Sequence, residues 1–552
     1  LYFDANPTHA ERDYLLWVFE GLAPLPAMGE LLDRAHNPLW RLPPSADGAK
    51  QLIDFFQRLQ PDTGAILHDF ACSPDGETWD TRFLGDLYQD LSESVRKRYA
   101  LLQTPEFVES FILDYTLTPA LAAFGLPAVR LIDPTCGSGH FLLTAFRRLF
   151  DAWQRREPAT NARALAQRAL DAVHGVDINP YAVAIARFRL LIAAMEASGV
   201  RSSGGRLKDA PAFHLNLAVG DSLLHGPRHE WTGQGIQRDA LDDHLAHYYA
   251  VEDQARLDAI LRSRYHCVVG NPPYITVKDQ ALNQAYRDRY PTCHRQYSLG
   301  VPFTERFFDL CLAGTPNAEA TDAPAAAPVP AQAGRGSGQR RVPPPERGHE
   351  SRVGPAGYVG MITANSFMKR EFGKKLIQEF LPAKALTHVI DTSGAYIPGH
   401  GTPTVILFAR NERPSGAEIR AVLGIRGEPS TPADAAQGQV WRSIVELLER
   451  PGSENAFVSV VDQGRELYAS HPWSLGGGGA SDLKQVVEVA GEASIGATAQ
   501  HVGISAVTGE DELFIVGSSA NARRLGIERV RQLVVGDGIR DWECTAEAAV
   551  WL

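Results

Sequence analysis

Two short stretches of the chain combine residue types and spacing that suit chemistry better than turns alone. Asp133-Pro134-Thr135-Cys136-Gly137-Ser138-Gly139-His140-Phe141 follows one apolar run, and Asn271-Pro272-Pro273-Tyr274 follows another. Glycines at 137 and 139 allow the backbone to approach a bound ligand closely, because no Cβ intervenes. Prolines at 272 and 273 remove competing N–H donors and stiffen the peptide after Asn271. Two further acids, Asp177 and Asp221, also close apolar runs. A carboxylate there can take two donors at once or simply cap the next helix. A lone Gly-x-Gly is a weak signal and Pro-Pro punctuates ordinary loops. Both stretches in this order, each after an apolar run, point to a ligand site.

The elements that must hold these residues form a repeating pattern. Short apolar runs at Val129–Asp133, Val173–Asp177, Leu215–Asp221, Tyr265–Asn271 and Tyr358–Asn365 alternate with helical periodicity, and Thr387–Asp391 and Thr404–Phe408 follow. Strands alternating with helices predict an α/β fold, a mainly parallel sheet covered on both faces. Ligands in such sheets bind at the carboxyl ends of the strands, where these acids and Asn271 sit. From Glu11 to about Tyr115 the pattern is helical, and Thr104-Pro105-Glu106-Phe107 reads as a helix start with Thr104 as cap. The stretch from Thr315 to about Pro355 is rich in Ala, Pro, Gly and Arg and too poor in apolar residues to pack, so it reads as a disordered insert. Its five arginines, Arg335, Arg340, Arg341, Arg347 and Arg352, could meet a phosphate backbone, although a solvated loop is the blander reading. After Arg410 the alternation stops. The expected organisation is a helical region over 1–100, a core over 101–314 and 357–412 interrupted by the insert at 315–356, and a further domain from 413 to 552.

Composition narrows the function classes. The 552 residues carry 54 Lys+Arg against 65 Asp+Glu, a net charge of −11, with 44% hydrophobic and 22% charged residues. That is an ordinary globular composition, long enough for more than one domain. The acidic balance argues against indiscriminate polyanion binding but leaves room for a local basic groove. No uninterrupted apolar run approaches the ~20 residues of a membrane span, and the start Leu1-Tyr2-Phe3-Asp4 is not a signal peptide. The sequence reads as a fragment of something longer. Six scattered cysteines without a Cys-x-x-Cys pair give no zinc signature and fit a reducing cytoplasm.

The paired stretches make the chain resemble an S-adenosylmethionine-dependent (Rossmann-like) DNA methyltransferase of the adenine-N6 kind, with the gamma order of cofactor motif, catalytic motif and recognition domain. Phe83-Leu84-Gly85-Asp86-Leu87-Tyr88-Gln89-Asp90-Leu91-Ser92 and Lys97-Arg98-Tyr99-Ala100-Leu101-Leu102-Gln103-Thr104-Pro105 are further similar to the PglX methyltransferases of type 2 BREX phage-defence systems. The methyltransferase-level resemblance runs from about Gly85 to Arg410. It implies S-adenosylmethionine as cofactor and double-stranded DNA with a flipped adenine as partner, with other defence proteins alongside. Thr104, Pro105 and Phe107 would touch the methionine end of the cofactor, and Asp133, Pro134, Cys136, Gly137 and Gly139 would wrap it. Asp177, with Ile178 beside it, would accept the ribose hydroxyls; Asp221, with Ser222, would bond the cofactor's adenine.

The same resemblance makes Asn271, Pro272, Pro273 and Tyr274 the catalytic quartet. The exocyclic amino group of adenine is a poor nucleophile because its lone pair delocalises into the ring. The Asn271 side-chain oxygen and the Pro272 carbonyl can each accept one of its hydrogens and favour a pyramidal nitrogen, with acceptors preorganised rather than recruited. Tyr274 offers an aromatic face to a base rotated out of the duplex. Cys136, lying in the cofactor loop, is not a cytosine-C5 nucleophile. His400-Gly401-Thr402-Pro403-Thr404-Val405 resembles a loop shaping the base pocket, or is a plain turn into a strand. Val507–Phe514 and Val535–Trp542 resemble the opening of a target-recognition domain. Two alternatives share these motifs: an RNA or protein amino-methyltransferase, and a defence-complex DNA-binding subunit that needs partners for activity. Pro61-Asp62 lacks a following acidic-x-Lys half, which disfavours a fused nuclease.

Overall fold

A computed structural model describes residues 1–35, 37–40, 43–67, 103–199, 210–228, 252–314, 354–399, 401–479 and 514–534, with isolated positions and short strands elsewhere. The Phe83–Ser92 and Lys97–Leu102 segments (Leu84 apart), the 315–353 part of the insert, His400, 507–513 and most of 535–542 lie outside the described residues. The chain divides into two units, Leu1–Ser481 and Asp482–Leu552.

The first unit is built on a mixed ten-stranded sheet. Its strands are β1 (Leu131–Asp133), β2 (Val173–Asp177), β3 (Asn216–Val219), β4 (Cys267–Gly270), β5 (Tyr358–Ala364), β6 (Ala385–Asp391), β7 (Thr404–Arg410), β8 (Glu418–Gly424), β9 (Ser453–Glu454) and β10 (Val458–Gly464). They lie in the order β3-β2-β1-β4-β5-β7-β6-β8-β10-β9. The first five pair in parallel, with registers such as Leu131 opposite both Val173 and Cys267. The central strands are buried almost throughout, which is why they read as unbroken apolar runs rather than alternating ones. All seven strands expected from the sequence are present.

Helices cover the sheet. They are α1 (Glu11–Leu22), α2 (Ala46–Phe56), α3 (Glu106–Phe124), α4 (His140–Arg156), α5 (Ala162–Asp171), α6 (Pro180–Ala197), α7 (Gln254–Arg262), α8 (Gln280–Arg289), α9 (Gly300–Leu310) and α10 (Gln439–Leu447). By length and composition α3 alone among the described helices passes for a membrane span, yet Val108, Ile112, Leu113, Leu117 and Ala120 are fully buried in the core of this unit. Chain direction reverses at β1: the chain runs outward through β2 and β3, then returns to place β4 on the other side of β1. Such a switch point opens a crevice at the strands' carboxyl ends.

The sheet continues past the boundary expected at 413. Strands β8 and β10 extend the same sheet, β8 pairing in parallel with β6 and β10 antiparallel to β8. Trp441 of α10 is buried and packs edge-on against Phe107 and Phe111 of α3, with ring centroids 4.8 and 5.3 Å apart. Gly476 bridges Gly424 in parallel and the Gly477 N–H donates to the Gly424 carbonyl, so the Gly476–Gly479 run edges this sheet rather than linking away from it. In the second unit Ala548–Trp551 is flanked antiparallel by Ile515–Val516 and Val530–Leu533, and Ile539–Arg540 pairs with Glu543–Cys544.

Candidate functional site

Four of the expected residues stand at the ends of neighbouring strands. Asp133 closes β1, Asp177 closes β2, Asp221 follows β3 and Asn271 follows β4. Between them opens a cleft lined by Pro134, Thr135, Gly137, Asp177, Ile178, Gly220, Asp221, Ser222, Asn271, Pro273, Tyr286, Leu299 and Phe303. Its cavity volume is about 110 Å³.

The glycine loop is held by acids at both ends. Asp133 Oδ1 accepts from the Thr135 N–H at 2.9 Å and its hydroxyl at 3.1 Å. Burial pushes the Asp133 carboxyl up to about 8, against the pull of those Thr135 bonds and with the Asp177 and Glu109 charges adding to it. Asp177 Oδ2 accepts from the Gly137 N–H at 2.9 Å, and Oδ1 from the Asn179 N–H at 2.9 Å. Burial raises its pKa too. Asp177 is not the cap of α6: Asn179 is, accepting from Tyr181 and Ala182 N–H groups. Gly137 has φ of 51° and open space where a Cβ would project, so the loop presents bare backbone on the cleft. Gly270, one residue before Asn271, lies so close that a Cβ would meet Asp133 Oδ1 at 2.6 Å and Thr135 Oγ1 at 2.9 Å. The two motifs therefore touch through a position that only glycine fills.

Asp221 is tied down on both oxygens. Oδ2 accepts from the Tyr286 hydroxyl at 2.5 Å and Oδ1 from the Leu223 N–H at 2.8 Å. The Ser222 hydroxyl donates to the Pro134 carbonyl at 2.7 Å, joining the third strand's loop to the first's. The Asn271 Nδ2 donates to the Thr104 hydroxyl at 3.2 Å, whereas Oδ1 is buried and has no hydrogen-bond partner. Burial lifts the Tyr274 hydroxyl's pKa, with the Asn271 amide beside it opposing the shift.

Several expected contacts fall elsewhere. Thr104 does not cap α3; Pro105 is the cap residue, and no side chain bonds the helix start. Phe107 is not among the cleft residues, because helical phase turns its ring onto Trp441. Cys136 is buried beneath the loop near Gly175, and burial drives its thiol pKa up, away from reactivity. Gly139, with φ of 83°, packs where a Cβ would meet Ala186 at 2.9 Å, so it serves the helix–helix contact. Pro105, Asp133, Pro272 and Tyr274 also stand outside the cleft lining. Tyr286, Leu299 and Phe303 line the cleft without a sequence signal: they sit on or beside α8 and α9 and read there as ordinary core residues. The described residues hold no cluster of His, Cys, Asp and Glu fit for a metal.

Residues 171–315 match the family model described as Eco57I restriction-modification methylase, a span that takes in Asp177, Asp221 and Asn271–Tyr274. Over 554 aligned residues the sequence is 47% identical to the adenine-specific methyltransferase PglX of Streptomyces coelicolor, covering 98% of this chain and 42% of that one. This chain is similar to an adenine-specific methyltransferase along nearly its whole length. A more distant relative, the type II methyltransferase M.PaeR7I of Pseudomonas aeruginosa, is 23% identical over 349 residues, 60% of this chain and 46% of the relative. The chain thus spans less than half the length of either relative. Among solved structures, a modification subunit of a putative type I restriction enzyme from Vibrio vulnificus overlaps 73% of this chain and 62% of its own, with 14% identity and a TM-score of 0.42.

Proposed function

We propose that this chain carries the methyl-transfer site of a DNA adenine-N6 methyltransferase that uses S-adenosylmethionine and serves a BREX-type anti-phage system. The observation that supports it most is the Asn271 carboxamide oxygen, buried without a hydrogen-bond partner on a residue lining a cleft that also holds Asp177 and Asp221. A buried polar oxygen left unmatched costs free energy unless a ligand completes it. The cleft also fits the cofactor's chemistry, with bare backbone at Gly137 for close approach and acids for donors.

Gly137, Asp177, Ile178, Asp221 and Ser222 would hold S-adenosylmethionine, which supplies an already activated methyl group. What remains for the protein is positioning and electrostatics. The backbone N–H groups of Gly137, Asn179 and Ile178 hold the Asp177 carboxylate in place, and its two oxygens offer about four lone-pair sites, so it can still receive a hydroxyl. Tyr286 on Oδ2 and the Leu223 and Leu224 N–H groups on Oδ1 fix the plane of the Asp221 carboxylate, leaving a lone pair of Oδ2 to receive a donor. Asn271 Oδ1 accepts a hydrogen from the target amino group and draws its lone pair out of conjugation with the ring. An amide is too weak a base to remove that hydrogen, so Asn271 orients and does not deprotonate. Pro272 and Pro273 keep the acceptor rigid, and Tyr274 stands beside it.

The fuller assignment, a site-specific DNA-methyltransferase (adenine-specific) working in the cytoplasm on a flipped adenine with other defence proteins, rests on the resemblance. It is tested by incubating the whole protein with labelled S-adenosylmethionine and matched DNA, RNA and protein substrates. Label on adenine N6 of DNA is expected. Label on RNA or on protein amide nitrogen alone would move the assignment to the alternative amino-methyltransferases.

A further inference from the structure

We infer that Thr104 is a positioning residue for transfer rather than a cofactor contact: by accepting the Asn271 amide N–H, its hydroxyl fixes which end of that amide is left for the target amino group. The inference deepens the proposed function and rests on it. A carboxamide has two unlike ends of nearly equal size. Only the oxygen can accept a hydrogen, and the NH2 end would present donors to a donor. In the structure Nδ2 is spent on Thr104 Oγ1 at 3.2 Å, and Oδ1 is the buried, unmatched end. A rotation of the amide by half a turn would reverse this, and the Thr104 contact opposes it, alongside the Tyr274 hydroxyl bonded to the same amide.

Thr104 is placed to hold that role rigidly. It is buried, 5% exposed, and is not among the residues that line the cleft. Pro105 follows it, which restricts Thr104 to extended backbone. Pro105 is itself the cap of α3, a nineteen-residue helix whose face is packed in the core. The hydroxyl thus stands on a fixed support, 167 residues away in sequence from the amide it holds. A β-branched residue also has few side-chain rotamers to choose from.

The test compares Thr104→Val, which keeps shape and loses the hydroxyl, with Thr104→Ser, which keeps the hydroxyl. In the whole protein, Thr104→Val is expected to slow single-turnover methyl transfer about ten- to a hundredfold while leaving cofactor Kd within about threefold, as loss of alignment does. Thr104→Ser should recover most of the rate. Cofactor affinity falling in step with rate would make Thr104 a cofactor contact and overturn the inference. So would an unchanged rate in Thr104→Val, or a loss in Thr104→Ser as deep as in Thr104→Val. A wild-type protein that binds cofactor yet never methylates DNA would instead defeat the proposed function, a result distinct from all three.

Discussion

Removing the Asp177 carboxylate should weaken cofactor binding more than it weakens the fold. In Asp177→Ala two kinds of bond are lost. The first kind is internal: the Gly137 and Asn179 N–H groups each lose an acceptor 2.9 Å away, and the Ile178 N–H loses the same carboxylate. Gly137 borders the cleft, where water can replace the carboxylate, whereas Asn179 is fully buried. One orphaned buried donor costs on the order of 1–3 kcal/mol of stability. The second kind, on the proposed assignment, would be with the ribose hydroxyls and would form only in the bound state. Charge-assisted hydrogen bonds contribute about 1.5–3 kcal/mol, equal to roughly ten- to 150-fold in Kd. Calorimetric titration with S-adenosylmethionine measures the second, and a thermal melt without cofactor measures the first. An unchanged Kd beside a lowered melting temperature would refute the reasoning, leaving Asp177 as nothing more than the tether of the glycine loop.

Three other outcomes follow from the same geometry. Trp441→Ala should cost about 3–5 kcal/mol of stability in the first unit, the scale for truncating a buried aromatic, and a chemical-denaturation curve indifferent to it would restore the domain boundary at 413. The Asp133 carboxyl, raised to about 8, favours the folded state while protonated; its contribution is complete below the ordinary carboxylate range and is lost as pH rises from there through 8, so Asp133→Asn should flatten the fall in melting temperature between about pH 4 and 8. Replacing residues 315–353 by a short Gly/Ser linker should leave the melt and cofactor affinity intact, because a Cβ on Gly314 would lie 3.0 Å from the Ala356 side chain and loop-closure entropy varies slowly with length; a large drop in melting temperature would mean that the segment packs.

The site was legible where chemistry coincides with strand ends. Asp133, Asp177, Asp221 and Asn271 each follow a short apolar run, and a parallel sheet gathers such ends on one edge. Residues reaching the cleft from helices carried no such mark. Tyr286, Leu299 and Phe303 are separated from the motifs by loops whose course a sequence does not encode locally. Phe107 shows the converse: Thr104, which precedes the helix, reaches the Asn271 amide, whereas Phe107 in the first turn of α3 packs its ring on Trp441. The continuation of the sheet past 413 was not legible, because β8 and β10 pair without the β–α–β alternation that marked the core.

The central claim is that the Asn271 cleft methylates adenine in DNA. Long-read sequencing of host DNA from cells carrying the wild-type gene, Asn271→Ala and a deletion tests it most directly, with calorimetry confirming that Asn271→Ala still binds S-adenosylmethionine within a few-fold. N6-methyladenine at one sequence motif in the wild type, absent from both other strains, is the predicted result. Methylation that persists in Asn271→Ala, or a wild-type strain with no adenine modified beyond the deletion, would contradict it.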